Sequence, residues 1–328
     1  MVENIIEVKN LKHSYGDFLA VDDVCFSVKE GEIFAFLGPN GAGKSTVINI
    51  LITLLPMQKG TVRIAGYDLA TQQEKIRGSI GIVFQDETLD RDLTVWETLE
   101  FHGRLYSLPR SMRRQRIDEM IHLVELDDKR NVRTRHLSGG MKRRLEIARG
   151  LMTQPKVLFL DEPTLSLDTQ TRMRLWDYIK KVNEAGTTIF LTTHYMDEAD
   201  LVSDWINIID HGKIIASGTS LELKNALGRD MIYLETSDDE AALRLLRTME
   251  MVKEVNRSTR GLAVTITTDG AHCLPIIIAR LRDEGIGVIS VNLKKPTLDD
   301  VFVHYTGREL RSAGAERMTS RMLVKGGR

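Results

Sequence analysis

The spacing of apolar and polar positions divides the chain into a long segment in which strands and helices alternate and a shorter one of different texture. Residues 5–8 and 21–28 read as edge strands, with turn formers at Tyr15-Gly16 and at Lys29-Glu30-Gly31-Glu32. Ile33-Phe34-Ala35-Phe36-Leu37 is apolar throughout, the pattern of a central parallel strand buried on both faces. A glycine-rich stretch follows, and then residues 46–55, where Val47, Ile48, Leu51, Leu54 and Leu55 recur at helical spacing until Pro56 stops the run. Further strands are expected at 61–65 and 80–84, and helical periodicity dominates from about 89 to 150. Strand patterns return at 157–160 and 188–192 around a helical stretch at 170–184, and a hairpin is expected about His211-Gly212. This alternation predicts an α/β fold, a mostly parallel sheet covered by helices, with a helical subdomain inserted at about 89–150.

From about residue 227 the order becomes strand, helix, strand, strand, helix, strand, which predicts a small α+β sandwich of the ferredoxin-like kind. Leu298, Val301, Phe302 and Tyr305 then mark an amphipathic helix that packs on this small domain, and the polar, arginine-bearing tail 307–328 is expected to be mobile. The expected domains are therefore 1–226 and an accessory or dimerisation domain at 227–306.

Composition narrows the function classes. With 42% hydrophobic and 28% charged residues the chain is neither disordered nor collagen-like. A formal net charge of -1 supplies no global field for nucleic acid, which is not an expected partner. Cys25 and Cys273 are too far apart in sequence for a metal-ligand spacing and imply no disulfide framework. Met1-Val2-Glu3-Asn4 does not read as a secretion signal, and apolar runs such as residues 50–55 fall short of a membrane span. The chain is thus expected on the cytoplasmic face, reaching the membrane through a partner. Arg110, Arg113, Arg114 and Arg116 read as a solvated basic face, and Met112, Met120, Met141 and Met152 as packing residues.

Three constellations carry chemistry. The loop Gly38-Pro39-Asn40-Gly41-Ala42-Gly43-Lys44-Ser45-Thr46 fits G-x-x-x-x-G-K-[ST] between a strand and a helix. Its glycines let backbone N–H groups approach phosphate oxygens, Lys44 reaches the β- and γ-phosphates, and Ser45 ligates Mg²⁺. The apolar strand from Val157 ends in two carboxylates, Asp161 to hold Mg²⁺ through water and Glu162 to orient or deprotonate the attacking water. In Leu137-Ser138-Gly139-Gly140-Met141, Ser138 is a good N-cap and the glycines leave amides open, giving a second anion-binding helix start.

Together these residues resemble the ABC ATPases, P-loop NTPases with LSGGQ at this last place, whose dimers clamp ATP between one subunit's P-loop and the other's LSGG segment. Met141 stands where that family has Gln, and Ser-Gly-Gly-Met followed by basic residues is similar to its drug-export and nodulation-factor branches. The resemblance covers about residues 4–220 and implies further roles. Tyr15 would stack on adenine, and Gln85 would sense Mg²⁺ and water and face a membrane subunit. His194 would contact the γ-phosphate, and Asp168 would link two sites across a dimer, with Ser166 where the family has glycine. Pro296 to Phe302 and Thr306 to Leu310 resemble the closing segment of the daunorubicin-resistance type. The implied protein is an ATP- and Mg²⁺-dependent subunit, dimeric and working with a separately encoded integral membrane permease, that exports a drug, lipid or other hydrophobic compound. The alternative is a soluble single-cassette ABC ATPase serving an assembly factor. A regulatory module without hydrolysis is disfavoured by Lys44, Glu162 and His194.

Overall fold

In the computed structural model, which describes residues 4–165, 167–227, 230–258 and 261–307, the N-terminal alternation folds as one long antiparallel hairpin. Its strands β1 (Asn4–Tyr15) and β2 (Phe18–Lys29) run well beyond the expected stretches. Asn10 and Asp23 adopt left-handed backbone where the register shifts, so the local alternation breaks although the pairing continues. Strand β3 (Ile33–Leu37) is buried at every position and leads through the glycine loop into α1 (Lys44–Leu51). That helix stops short of Pro56, because Thr53 turns left-handed and Leu54 faces solvent. The strands β4 (Lys59–Ile64) and β5 (Tyr67–Asp68) complete a four-stranded sheet in the order β2-β1-β4-β5. Only β2 is an edge strand of the first pair; β1 lies inside, with Ile6, Val8 and Leu11 buried.

Helix α2 (Gln73–Ser79) precedes β6 (Ile80–Val83). The stretch expected to be helical contains α3 (Val95–Leu105), α4 (Arg110–Leu123) and α5 (Gly139–Leu151), separated by irregular backbone with short 3-10 turns at Asp127–Lys129 and Thr134–His136. The basic cluster is not simply a solvated face. Arg113 donates to Glu100 at 2.7 Å and to the Leu108 carbonyl, and Arg116 reaches the Leu151 carbonyl at 2.8 Å, while Arg110 and Arg114 remain exposed. Of the four methionines, Met120 and Met152 pack inside, but Met112 is exposed at the ragged polar surface of α4.

The chain continues through β7 (Val157–Asp161), α6 (Thr169–Glu184), β8 (Thr188–Thr193), α7 (Met196–Val202), β9 (Trp205–Asp210) and β10 (Lys213–Gly218). The second sheet runs β10-β9-β3-β8-β7-β6, parallel except for β10. Phe34, Phe36, Phe159 and Phe190 stack along it, and Phe26 from β2 lies 5.4 Å from both Phe34 and Phe36, joining the two sheets in one core.

The chain divides into two compact units at Thr219/Ser220. The division lies ahead of α8 (Ser220–Leu227), not after it as expected, because that helix belongs to the second unit's own packing. That unit comprises β11 (Asp230–Thr236), α9 (Asp239–Leu246), β12 (Val252–Arg257), β13 (Leu262–Ile266), α10 (Gly270–Asp283), β14 (Val288–Lys294) and α11 (Leu298–Thr306). Its antiparallel sheet, β12-β13-β11-β14, has the ferredoxin-like order. Helices α9 and α10 cover one face around Ile232, Leu234, Val264 and Ile277. On α11, Leu298, Val301 and Phe302 are buried, α8 packs alongside, and Tyr233 donates to Asp300 at 2.6 Å. Lys253 fastens α8 through the carbonyls of Ala226 and Leu227. Ser166 and the tail 308–328 lie outside the described residues.

One close approach sets the position of α5 on the sheet. A Cβ at Gly81 on β6 would meet the Gly150 carbonyl oxygen of α5 at 2.3 Å, whereas Gly78 on α2 has open space around it. Gly81→Ala is therefore expected to destabilise the chain by about 1–3 kcal/mol. Gly78→Ala is expected to stabilise α2 by about 0.5–1 kcal/mol. Thermal unfolding of both variants beside the parent checks this: Gly81→Ala melts lower and Gly78→Ala does not.

Candidate active site

Parallel pairing delivers the site residues to one edge of the second sheet. Leu37 on β3 pairs with Thr193 on β8, Asp161 on β7 with Thr192, and Val83 on β6 with Leu160. The residues that follow these strand ends are Gly38, His194, Glu162 and the Phe84-Gln85 loop. All leave at the carboxyl ends of parallel strands, where open α/β sheets bind ligands.

The glycine loop needs its glycines. Gly41 and Gly43 have φ of 81° and 104°, and a Cβ at Gly43 would meet the Ala20 carbonyl oxygen at 2.6 Å. Gly43 stands just before α1 and provides no side-chain cap, so the first amides of that helix are left for an anion. Lys44 is buried and folds back to donate to the carbonyls of Gly38 at 2.8 Å and Pro39 at 3.0 Å. Its ammonium also lies 3.4 Å from Glu162 Oε1.

Glu162 has a left-handed backbone, φ 43°, an uncommon state for a residue with a side chain. The Thr192 hydroxyl and carbonyl accept from its amide at 3.0 and 3.2 Å. Its second carboxylate oxygen lies 3.1 Å from His194 Nδ1, so the group is held between an ammonium and an imidazole. Burial works to raise its pKa, but His194 and Lys44 outweigh that cost and hold it below the usual carboxylate value. Asp161 goes the other way. Burial and the neighbouring Glu162 charge push it up, against the Thr192 hydroxyl, Lys44 and Ser45. Asp161 and Ser45 thus place a buried carboxylate and a hydroxyl side by side, hard oxygen donors of the kind a small divalent cation takes. Among the described residues no cluster of three or more His, Cys, Asp or Glu side chains could hold a metal by itself.

A second group forms where α5 meets α6. Ser138 caps α5 by accepting from the Met141 amide at 3.3 Å. Gly140 packs so closely that a Cβ would meet Thr171 at 2.2 Å, while Gly139 is exposed with its nearest neighbour, Leu167, 4.0 Å away. Asp168 caps α6, accepting from the Thr171 amide at 3.0 Å and the Thr171 hydroxyl at 2.6 Å, and these bonds depress its pKa. Two of the expected residues stand apart. Gln85 is exposed on the loop after β6, and Tyr15 at the end of β1 is half exposed, edge-on to His13 at 4.9 Å.

Residues 21–165 match the ABC transporter family model, and 218–306 match the C-terminal domain of DrrA1-3-like ATP-binding proteins. The chain is 38% identical to the daunorubicin resistance ATP-binding protein DrrA3 of Streptomyces coeruleorubidus, over 95% of its own length and 98% of the relative's. The chain belongs to the ABC transporter ATP-binding family. The linearmycin resistance ATP-binding protein LnrL of Bacillus subtilis is 36% identical over 94% of this chain and all of that one. Among solved structures, cbiO1 from Clostridium perfringens, part of the ABC transporter complex cbiONQ, has a TM-score of 0.64 at 31% identity, covering 67% of this chain and 90% of that one. A dimeric post-hydrolysis state of the cassette MJ0796, bound to ADP and Pi, has a TM-score of 0.59 at 31% identity, covering 65% of this chain and 98% of that one. The chain is an ATP-hydrolysing ABC cassette carrying a DrrA-like C-terminal domain.

The cassette also uses residues that sequence reasoning passed over. Thr192 anchors both acidic residues, and Glu198 accepts from Thr164 and from Thr193 at 3.0 Å and forms an ion pair with Arg172 at 3.2 Å, tying α6 to the segment around His194. Arg143 and Glu146 are buried on α5 and bonded to each other. Their spacing of three on a helix was the available signal.

A groove of about 450 Å³ opens on the same unit, lined by Thr53, Phe84, Thr88, His102, Tyr106 and Arg149 among others. Burial, with Arg149 nearby, lowers the His102 imidazole from 6.5 to about 4, so it is neutral at physiological pH. Because folding weakens proton binding there, the group's stability contribution is complete above 6.5 and is lost as pH falls toward about 4. NMR titration of the His102 ring, assigned with His102→Gln, is expected to give a midpoint near 4. A midpoint at 6.5 would contradict the burial assigned to it.

Proposed function

We propose that this chain powers export of a drug, lipid or similar hydrophobic compound, working as a dimer on the cytoplasmic face of the membrane with a separately encoded permease. Among the described residues no helix is long and apolar enough to cross a membrane. In this reading the Gly38–Thr46 loop takes the phosphates of ATP, Tyr15 stacks on adenine, and Ser45, Asp161 and Gln85 hold Mg²⁺ directly or through water. The ion's chemistry is to neutralise charge on the phosphate oxygens. Ser138, Gly139, Gly140 and Asp168 of a second copy complete the site.

The observation that carries the hydrolytic part is the Glu162 carboxylate, held ionised between Lys44 and His194 at the mouth of the glycine loop. The Lys44 ammonium is paired with Glu162 and donates to the loop carbonyls of Gly38 and Pro39. Phosphate oxygens compete for that ammonium. Once Lys44 turns to them, Glu162 loses a counter-charge, becomes more basic, and orients the attacking water with His194 fixing its second oxygen. The permease reading is supported by exposed Leu54 and Tyr106, which line the groove together with Phe84 next to Gln85, and by exposed Phe101 and Leu105 on α3, the helix that gives the groove His102. The cytoplasmic segment of a permease is the occupant we assign to it. The drug-export reading is supported by relatives named for daunorubicin and linearmycin resistance, which match nearly the whole chain, and these do not favour a soluble assembly factor.

Glu162→Gln keeps the shape and the His194 contact but removes the base. ATP turnover is expected to fall by about 100-fold or more, with nucleotide binding retained and a nucleotide-bound dimer accumulating on size exclusion. Hydrolysis near the parent rate would contradict the role given to this carboxylate.

A further inference from the structure

In the sequence Arg143 is only one of the basic residues that follow Ser-Gly-Gly-Met, yet its guanidinium is buried and every one of its five N–H donors is used. Nε donates to the Pro163 carbonyl at 2.8 Å. One terminal nitrogen serves the Phe84 carbonyl and Glu146 Oε2, the latter at 2.9 Å. The other serves the carbonyls of Asp161 at 3.1 Å and Glu162 at 3.4 Å. The carbonyls belong to two loops at the sheet's carboxyl edge, one leading to Gln85 and one carrying the acidic pair. Glu146 extends the connection by accepting from the Thr88 amide at 2.9 Å, and Arg149 donates to the Thr88 carbonyl at 3.1 Å.

We propose that Arg143 is a positioning residue that fixes the Gln85 loop and the Glu162 peptide to α5, whose first turn is Ser138–Gly140. The proposal rests on Glu162 being the hydrolytic carboxylate. Two physical facts carry it. A buried charge is costly, and a well-packed apolar residue would stabilise the core as well or better, so packing alone does not account for a guanidinium here. Moreover, Glu162 sits in a strained left-handed state whose amide is pinned by Thr192, whose carbonyl is shared between Arg143 at 3.4 Å and the Leu165 amide at 3.2 Å, and whose neighbours Asp161 and Pro163 both give their carbonyls to the same guanidinium. Without the guanidinium the carbonyls of Asp161 and Pro163 lose the donor that holds them to α5, the strained peptide between them relaxes, and the carboxylate shifts from its place between Lys44 and His194. The planar fork matters as well as the charge, since a lysine ammonium presents three donors at one point and cannot serve carbonyls on two loops at once.

The test uses the full chain and two variants: Arg143→Lys, which keeps the charge opposite Glu146, and Arg143→Met with Glu146→Leu, which removes the pair together and leaves no unpaired buried charge. Steady-state ATPase gives kcat and KM, a fluorescent ATP analogue reports binding, and thermal melting reports folding. In both variants kcat is expected to fall about 10- to 100-fold, the cost of misplacing a reacting group by around an ångström. KM, analogue affinity and melting temperature are expected to stay close to the parent's. A parental kcat in both folded variants overturns the proposal, and so does a loss of analogue binding and thermal stability in step with kcat, which marks a structural role. Glu162→Gln run alongside separates the two claims. If it still hydrolyses ATP, the reading of Glu162 fails and the proposal with it; if it is inactive while the Arg143 variants turn over normally, the proposal alone fails.

Discussion

The parallel register of β3, β8, β7 and β6 is the constraint on which the rest depends. It places Gly38, His194, Glu162 and the Gln85 loop beyond the carboxyl ends of four adjacent strands. A slip of one residue between β7 and β8 would turn Phe159 out of the phenylalanine stack and separate Asp161 from Thr192. The aromatic core that fixes this register is therefore also what keeps Glu162 within reach of Lys44 and His194. Packing and chemistry are set by one geometric choice.

What could be read from the chain beforehand was whatever is local. The glycine loop's spacing, the apolar strand ending in Asp161-Glu162, and Ser138 before two glycines each encode their structure within about ten residues, and the structure places them accordingly. The βαββαβ order of the second unit was legible because each element carries its own period. Long-range features were not. The N-terminal hairpin looked shorter than it is because left-handed Asn10 and Asp23 break the alternation without ending the pairing. The left-handed state of Glu162 has no signature in a glutamate. In Lys142-Arg143-Arg144 the three side chains look alike, and only the fold decides that the middle one is fully enclosed.

The cassette carries two chemically different halves. One is built on α1, β7 and the end of β8: a glycine loop whose Lys44 ammonium is paired with the Glu162 carboxylate, the proposed phosphate cradle. The other is built where α5 meets α6, an exposed helix start at Ser138 and Gly139 braced by Thr171 and Asp168. Within one chain the Asp168 carboxylate is occupied in capping α6, so its contribution across an interface would come through its position and backbone. Arg143 bridges the halves, donating to the Glu162 carbonyl from the second turn of the helix that Ser138 caps.

The central claim, that each site is made of the cradle of one copy and the helix start of another, is tested most directly by complementation. Chains carrying Lys44→Ala and chains carrying Ser138→Arg are each expected to be inactive alone. Mixed in equal amounts they form heterodimers with one intact composite site, and about a quarter of the parent's ATPase activity should return if sites act independently. A mixture as inactive as either variant by itself, despite demonstrated heterodimer formation, would contradict the account.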